Sequence, residues 1–422
     1  MSIVDSATTG LPPLMAPYTN KIRSGLLLLP GVVGFVFAFR TCITIIGFQQ
    51  EPQQGTAVSV VLSLALLALA VLSTIGGKPS IPAACFRTST LYWCGALLGL
   101  ALASLGWSEA PFVAAAGYWA SWAADVATIW FLLRGDIGEE RAAAVMKGYV
   151  WGACCVAILA WALPANADMR LGDEDFLHPN ALGFLFSIAT FLAIHLTRQR
   201  PIWRLSALFL ATTLLRTISK SAIGGFLVAF CFYLIWDSTL SRAVRVRIGI
   251  VAGVILASLG GVLGAYFSNY TVGTDPETLT GRTFIWAVSL EYASEKPLLG
   301  YGLYSYRFIV PPFGKFEAQE AHNELLQQFF AYGAVGVILT IGLYWMFFRQ
   351  IRRAPRSPLK NLAASLLIFA LVRGLTDTQT FDLSFPLWLM TMLSILLAIP
   401  ADHSEQSAML PPPGLQEDAY AH

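Results

Sequence analysis

The feature that most constrains this chain is a succession of long apolar segments along almost all of its 422 residues. A helix that crosses a bilayer needs about 20 mostly apolar residues, and about twelve segments approach that length. They lie at residues 24–48, 55–77, 89–108, 110–133, 142–163, 180–196, 203–216, 221–236, 247–267, 323–348, 361–376 and 384–400. We therefore expect an all-α membrane protein with about twelve transmembrane helices, helices 1–9 within residues 24–267 and helices 10–12 within residues 323–400.

Composition supports this interpretation and excludes other classes of protein. Hydrophobic residues make up 56% of the chain and charged residues only 12%, whereas a soluble domain carries about 25% charged residues. So little polar surface excludes a soluble globular enzyme. No basic patch is interleaved with aromatic residues, so a nucleic-acid partner is not expected. No Cys/His spacing typical of a metal site occurs, and we expect neither a metal nor a cofactor.

The lysine and arginine residues predict the orientation of the helices. If the N-terminus is cytoplasmic, two thirds of the 27 basic residues fall in cytoplasmic segments, as the positive-inside rule requires. Both chain ends are then cytoplasmic, and residues 1–23 precede the first helix. Residues 401–422 are rich in proline, which is typical of a disordered tail.

One external segment, residues 268–322 between helices 9 and 10, is too long to be a simple connector. Residues Thr283–Lys296 can form a short amphipathic helix that Pro297 ends, and Gly300–Gly302 is typical of a turn. The external basic residues oppose the orientation rule, so they need another reason to be there. They are Arg282, Lys296, Arg307 and Lys315 in this segment and Arg216 and Lys220 in a second external turn.

Several short motifs resemble those of the O-antigen ligase/polymerase superfamily, and their order, spacing and shared external side make the set fairly specific. They are Gly281-Arg282-Thr283 with Trp286, Lys296-Pro297-Leu298-Leu299-Gly300-Tyr301-Gly302, His322-Asn323 followed by Gly333 and Gly336, His178-Pro179-Asn180-Ala181-Leu182-Gly183, and Ser219-Lys220-Ser221-Ala222. Members of that family transfer glycans from a polyprenyl-diphosphate carrier on the periplasmic face of the bacterial inner membrane. The resemblance implies that donor class and an inverting, metal-independent transfer, with residues 268–322 as a periplasmic catalytic loop.

The external cations fit a diphosphate leaving group. Nucleotide sugars are not expected outside the inner membrane, so a glycosyltransferase there must use a lipid-linked donor. As that donor reacts, negative charge develops on the diphosphate and needs cations beside it. Arginine can hold two phosphate oxygens at once, and lysine provides a point charge. We therefore expect Arg282 to be catalytic and Arg216 and Lys220 to bind substrate.

The acceptor is a sugar hydroxyl, a poor nucleophile that a positioned histidine can activate by taking its proton. His322 is the only histidine in the external loop sequence and is expected to be that base. Asn323 beside it and Asn180 in the matching motif of the sixth helix are expected to bind substrate. Arg40 and Arg373 fall within apolar segments, where charged side chains usually face a cavity or a partner, so we expect both to line the site.

The motifs leave more than one function open. The leading interpretation is an O-antigen ligase that moves a polysaccharide en bloc from undecaprenyl diphosphate to a lipid A–core sugar. The alternative is an O-antigen or exopolysaccharide polymerase with the same donor, which the shared motifs do not separate from a ligase. A transporter of lipid-linked glycan is a third possibility, but the repeats and broken helices that it would need are weak or missing in the sequence.

One acidic triplet, Asp173-Glu174-Asp175, has the oxygen ligands that divalent metals prefer. We favour a solvated acidic loop, because no nucleotide donor is expected outside the membrane for a metal to serve.

The orientation can be tested by single-cysteine labelling of cells that express a cysteine-free background. A membrane-impermeant thiol reagent should label Lys315→Cys in intact spheroplasts, and it should label Arg356→Cys only after the inner membrane is permeabilised. Labelling of position 315 only after permeabilisation would contradict the proposed topology.

Overall fold

The computed structural model of the protein is all-α wherever it is described. It describes residues 27–47, 52–75, 78–162, 170–171, 178–236, 241–243, 245–247, 250, 279–312, 318–379 and 382–400. The helices are α1 (Leu28–Gly47), α2 (Pro52–Leu72), α3 (Ser89–Ser104), α4 (Phe112–Leu133), α5 (Gly138–Ala162), α6 (Pro179–Leu196), α7 (Trp203–Arg216), α8 (Lys220–Trp236), α9 (Leu279–Glu295), α10 (Tyr306–Ile309), α11 (Glu324–Arg353), α12 (Pro358–Gly374) and α13 (Leu387–Leu397). A short 3-10 helix, Ala83–Phe86, precedes α3.

Three of the described helices, α5, α6 and α11, are long and apolar enough to cross a membrane. Shorter apolar stretches occur in α1, α2, α8 and α13. Every apolar segment named above except the ninth overlaps a helix of the structure. The ninth segment, 247–267, lies almost wholly outside the described residues, as do residues 1–23 and the tail 401–422. The structure is therefore that of an all-α membrane protein, and the count of twelve spans stays a prediction.

Helices α1 and α5 pack backbone to backbone. A Cβ atom at Gly34 would overlap the carbonyl of Val145, and one at Gly148 would overlap the carbonyl of Gly31. Small residues let membrane helices approach closely where lipid provides little hydrophobic drive for association. This packing holds Arg40, in the second half of α1, inside the helix bundle.

The segment from α9 to His322, which is predicted above to be external and is called the external segment below, is fastened to a break in α11. Gly333 has φ 63° and ψ −158°, which interrupts the helix and exposes backbone groups on both sides of the break. Residues 297–302 fill this gap: Tyr301 N donates to Phe330 O at 2.9 Å, and Ala334 N donates to Pro297 O at 2.8 Å. Glycine is needed there because a side chain would strike Leu298.

The external segment also has a small apolar core of its own. One face of α9 is buried at intervals of three or four residues, through Arg282, Ile285, Ser289 and Ala293. The apolar members of this face pack with residues of the following loop and the first turns of α11. The core consists of Ile285, Ala293, Tyr301, Tyr306, Val310, Ala318, Ala321 and Phe330. The segment that carries Arg282 and ends at His322 is therefore held on the membrane helices.

Candidate active site

A buried carboxylate, Asp377, is the centre of the candidate site. It follows the end of α12 and is 1% exposed. One carboxylate oxygen lies 3.3 Å from His322 Nδ1 and accepts from Thr378 N at 3.1 Å. The other accepts from Arg373 Nη2 at 2.9 Å and from Ser221 Oγ at 3.1 Å. Asp377 thus joins the ends of α8, α11 and α12, and each of its oxygens has two partners.

The charge on Asp377 determines which nitrogen of His322 carries the hydrogen. Burial alone would raise the pKa of Asp377, but Arg373, the hydrogen bond from His322 and the nearby Arg282 hold that pKa well below its usual range. An ionised carboxylate can only accept hydrogen bonds. His322 Nδ1 must therefore donate, and in a neutral imidazole with this tautomer Nε2 carries the lone pair that a general base requires.

The backbone around His322 is also constrained. His322 has φ 49°, a left-handed backbone conformation that residues other than glycine rarely adopt. Its carbonyl accepts from Trp286 Nε1 of α9 at 3.3 Å. The next residue, Asn323, caps α11 by accepting from Leu326 N at 3.0 Å and donates to Leu375 O at 2.9 Å. The imidazole is therefore held between α9, α11 and the end of α12.

Two buried guanidinium groups stand beside this carboxylate. Arg373 is 1% exposed and lies 4.6 Å from the centre of the Phe184 ring. Arg282 is 5% exposed, and its Nη1 donates to the carbonyl of Thr376, next to Asp377. The Nε of each arginine is buried without a hydrogen-bond partner among the described residues. The two guanidinium groups place positive charge beside Asp377, while the carboxyl groups of Glu320 and Glu324 lie near His322 and Arg373.

The turn between α7 and α8 is joined to the same centre. Ile218 in this turn has φ 51°. Ser219 Oγ donates to Asn180 Oδ1 at 2.8 Å, and Ser221 Oγ donates to Asp377. Arg216 and Lys220 are half-buried at the two ends of the turn. Asn180 therefore supports the turn, and Lys220 lies in the chain between two serines that contact Asn180 and Asp377.

Arg40 lies in a separate polar cluster. Its Nη1 donates to Asp125 at 2.8 Å, to Ser63 at 2.7 Å and to Ser121 at 3.4 Å, which joins α1, α2 and α4. These contacts give Arg40 an intramembrane partner, as expected for a charge in an apolar helix. The structure brings Arg282, His322, Asn323, Asn180 and Arg373 together and leaves Arg40 in the second cluster. Substrate contact by any of these residues stays a prediction.

Three side chains have the donor atoms for a metal ion. Each of these side chains offers one ligand atom, and the three atoms lie within 4.8 Å of one another in Glu320, His322 and Asp377. His322 Nδ1 is 3.8 Å from Glu320 Oε1. The Asp377 oxygens are already used by four donors, and the neighbouring Arg282 and Arg373 would repel a divalent cation, whereas Glu320 would attract one. The acidic triplet Asp173–Asp175 lies outside the described residues.

Sequence reasoning missed Asp377, Ser221 and Arg170. The first two are described above, and Arg170 is buried with its Nε 3.4 Å from Thr217 O, against the α7–α8 turn. Ser221 lies in one of the motifs named above, where it was given no role of its own, and a signal existed for Asp377 as well. Asp377 lies four residues after Arg373 at the end of an apolar segment, a spacing at which a carboxylate can neutralise an intramembrane arginine.

The fold and site define a class: an all-α membrane protein with a histidine–aspartate pair and buried arginines where an external segment meets the helix bundle. Comparison with known proteins agrees. The model of a family described as O-Antigen ligase matches residues 205–341, less than half of the chain. That match includes Arg216, Lys220, Arg282 and His322 but ends before Arg373 and Asp377.

Two curated proteins are similar to this chain. An O-antigen ligase of Pseudomonas aeruginosa is 30% identical over 184 residues, which are 43% of this chain and 42% of that protein. The exopolysaccharide production protein ExoQ of Rhizobium meliloti is 29% identical over 42% of this chain and 46% of its own length. Each match thus covers less than half of the relative. The resemblance to the O-antigen ligase/polymerase superfamily is confirmed.

Replacing Asp377 by asparagine should disrupt the site. Asp377 bonds His322 and Arg373 through different oxygens, and an amide replaces one of these acceptors by an NH2 donor, so turnover per folded molecule should fall by roughly 10²–10⁴ with a changed pH profile. Leaving Arg373 buried and unpaired should also cost about 3–5 kcal/mol of stability. Thermal unfolding and turnover should be measured on the same purified sample.

The matched control for this experiment is Asp136→Asn. Asp136 also pairs with a buried arginine, Arg141, at 3.2 Å, but its side chain is 46% exposed and lies far along the chain from the site. Turnover of this control should stay near wild type. A wild-type pH profile and turnover in Asp377→Asn would remove Asp377 from the site.

Proposed function

We propose that this protein is an O-antigen ligase, a glycosyltransferase that moves a polysaccharide from undecaprenyl diphosphate to a hydroxyl of a lipid A–core sugar. The observation that carries the proposal is the buried His322–Asp377 pair with Arg282 and Arg373 beside it. A base and an anion-binding group are the two functions that such a transfer needs. The similarity to an O-antigen ligase supports the choice of reaction.

On the donor side, the arginines offset the charge of the leaving diphosphate. Their unpaired Nε–H groups are buried, where a hydrogen bond to a charged oxygen is worth more than in water. Arg216 and Lys220 add positive charge from the α7–α8 turn. Arginine and lysine together can supply the stabilisation that a metal ion supplies in other transferases, so the proposed transfer is metal-independent and needs no cofactor.

On the acceptor side, His322 Nε2 takes the proton of the attacking hydroxyl. The new bond joins that oxygen to the anomeric carbon of the donor sugar as the bond from this carbon to the diphosphate breaks. Attack from the face opposite the leaving group inverts the anomeric configuration. Asp377 stabilises the imidazolium that forms, and the proton leaves to solvent before the next cycle.

A cavity beside the site suits a lipid-linked substrate. Its volume is about 400 Å³, and it opens between α11 and α12 next to Asn323. Most of its lining is apolar, including Ile341, Trp345 and Leu371. A polyprenyl or acyl chain could lie there while its polar end reaches His322.

The proposal includes the topology predicted above. Twelve spans place residues 268–322 in the periplasm as the catalytic loop, residues 24–267 and 323–400 in the inner membrane, and both ends in the cytoplasm. The active site then opens where a lipid-linked glycan and a lipid A–core acceptor, both embedded in membrane lipids, can meet. The positive-inside rule and the apolar helices support this arrangement.

The second candidate is a polymerase that extends an exopolysaccharide or O-antigen on the same donor. The similarity to an exopolysaccharide production protein favours it. The same base and cations serve both reactions, since only the acceptor differs. A glycan transporter has less support, because transport needs no base held in one tautomer.

The deciding experiment offers purified protein in nanodiscs one lipid-linked glycan donor with two acceptors, lipid A–core and a second lipid-linked glycan. The ligase proposal expects product only on lipid A–core. Product only on the lipid-linked glycan would establish the polymerase, and no product with either acceptor would contradict both.

We expect His322→Asn to lose transfer while keeping the fold and the donor site. Asparagine tolerates the left-handed backbone of position 322 but cannot act as a base. Turnover should fall about 10²–10⁴-fold with donor affinity unchanged. Arg282→Ala is the contrasting variant, because loss of a charge-assisted contact, worth about 1.5–3 kcal/mol, should weaken donor binding about tenfold to hundredfold.

Donor binding by both variants should be measured with fluorescent undecaprenyl diphosphate. Turnover of His322→Asn near the wild-type level would show that His322 is not the base, and the cations alone would have to account for the site.

Transfer should continue after removal of divalent metals. Activity in EDTA should equal activity in magnesium, because guanidinium and ammonium groups face the diphosphate. If activity is lost in EDTA and restored by magnesium or manganese, the metal-independent mechanism is wrong. Restoration that disappears in Glu320→Gln would then locate the metal at Glu320, His322 and Asp377.

A further inference from the structure

Left-handed backbone marks three places in the described part of the chain. Ile218, Tyr304 and His322 are the non-glycine residues there with positive φ, at 51°, 70° and 49°. Such conformations are strained and persist where the surrounding structure enforces them, most often at functional sites. Ile218 and His322 belong to the site already described. Tyr304 lies outside it and is unexplained by the proposed chemistry.

The backbone at Tyr304 is enforced from two sides. Gly302, at φ 90°, lies against Ser108, where a side chain would not fit. Leu303 N donates to Ser104 Oγ at 3.1 Å, and Ser108 Oγ donates to Leu303 O at 2.7 Å. Glycine would relieve the strain at position 304. A tyrosine in that conformation therefore indicates that its side chain has a use.

The tyrosine side chain lies in an aromatic cluster, which we call the Tyr304 cluster. Its ring centre is 4.5 Å from that of Tyr118 in α4 and 5.6 Å from that of Phe308. The guanidinium of Arg307 lies 5.3 Å from the Tyr304 ring, and its Nη2 donates to Gln319 Oε1 at 2.7 Å. Phe308 is 51% exposed, so aromatic surface remains open beside polar groups.

The Tyr304 cluster is connected along the chain to the site around Asp377 and to the cluster around Arg40. Gln319 immediately precedes Glu320, whose carboxylate is 3.8 Å from His322 Nδ1. Tyr118 precedes Ser121 and Asp125 by three and seven residues on one face of α4, and both of these residues contact Arg40. The cluster is thus attached to the segment that carries the proposed base.

We propose that the Tyr304 cluster binds a sugar ring of the acceptor glycan, an inference that rests on the proposed function. Sugar rings present C–H faces that pack on aromatic side chains, while arginine and glutamine side chains hydrogen-bond hydroxyl or phosphate groups. The donor is held through its diphosphate by Arg282 and Arg373. The acceptor has to present its hydroxyl to His322, and the cluster is tied to the chain segment just before that residue.

The test measures binding of a delipidated, phosphorylated core oligosaccharide to the full-length protein in nanodiscs by calorimetry. Tyr304→Gly should bind the oligosaccharide roughly tenfold more weakly than wild type. Its Tm should stay near that of wild type. Glycine adopts the left-handed backbone without strain, and this gain offsets the loss of the ring contacts. Tyr304→Phe should bind nearly as wild type does. Phe112→Ala, which removes a 66% exposed aromatic residue at the start of α4, is the matched control and should also bind normally.

The calorimetric titration measures oligosaccharide binding without turnover, so its result does not depend on whether the proposed transfer reaction is correct. If His322→Asn keeps full transfer activity, the proposed function fails, whereas the oligosaccharide titration still decides the subsite. Unchanged oligosaccharide affinity in Tyr304→Gly, no binding by wild type, or weakening of donor binding alone would overturn the proposal. The cluster would then be part of the aromatic interface with lipid headgroups.

Discussion

A carboxylate buried beside a membrane helix has to be matched by hydrogen-bond donors and positive charge, and Asp377 shows how this protein meets that requirement. An uncompensated charge there would cost several kcal/mol. The donors come from the start of α8, from His322 two residues before α11, from the end of α12 and from the adjacent backbone. Because these elements are far apart in sequence, satisfying one carboxylate links the positions of His322, Arg373 and the α7–α8 turn.

The external segment depends on a second constraint, the backbone break at Gly333. A helix interrupted in this way has N–H and C=O groups without helical partners, and a buried group of this kind must find others. Residues 297–302 supply them. The chain that follows this attachment is held by Ser104 and Ser108, and Tyr304 lies against Tyr118 of α4. The position of the candidate glycan subsite is therefore a consequence of how the loop is fastened.

Much of this organisation could be predicted from the sequence. The lengths of the apolar segments predicted the helices. The segment that carries the candidate site was indicated by its basic residues, by His322 and by the glycine turn at Gly300–Gly302. Intramembrane arginines were recognisable because charge is rare in lipid, and both Arg40 and Arg373 have an aspartate partner in the structure. The short motifs indicated the resemblance to the O-antigen ligase/polymerase superfamily, and the comparisons support that resemblance.

The contacts that the sequence could not predict depend on packing between residues that are far apart in the chain. Asp377 is one of several acidic residues between apolar segments, and nothing local shows that its carboxylate meets His322 and Ser221. Likewise, the left-handed backbone at Tyr304 arises from contacts with Ser104 and Ser108 and leaves no trace in the local sequence. The pairing of Arg40 with Asp125 places that arginine in a second cluster, which its position in an apolar segment did not reveal.

The central claim is that the buried arginines around Asp377 hold the diphosphate of a lipid-linked donor. A cryo-EM structure of the protein in nanodiscs with undecaprenyl diphosphate tests it most directly. We expect phosphate oxygens within hydrogen-bond distance of Arg282. His322 Nδ1 should still be hydrogen-bonded to Asp377, and the lipid chain should lie in the cavity between α11 and α12. Diphosphate bound away from Arg282 and Arg373, or held through a metal ion at Asp173 and Asp175, would contradict it.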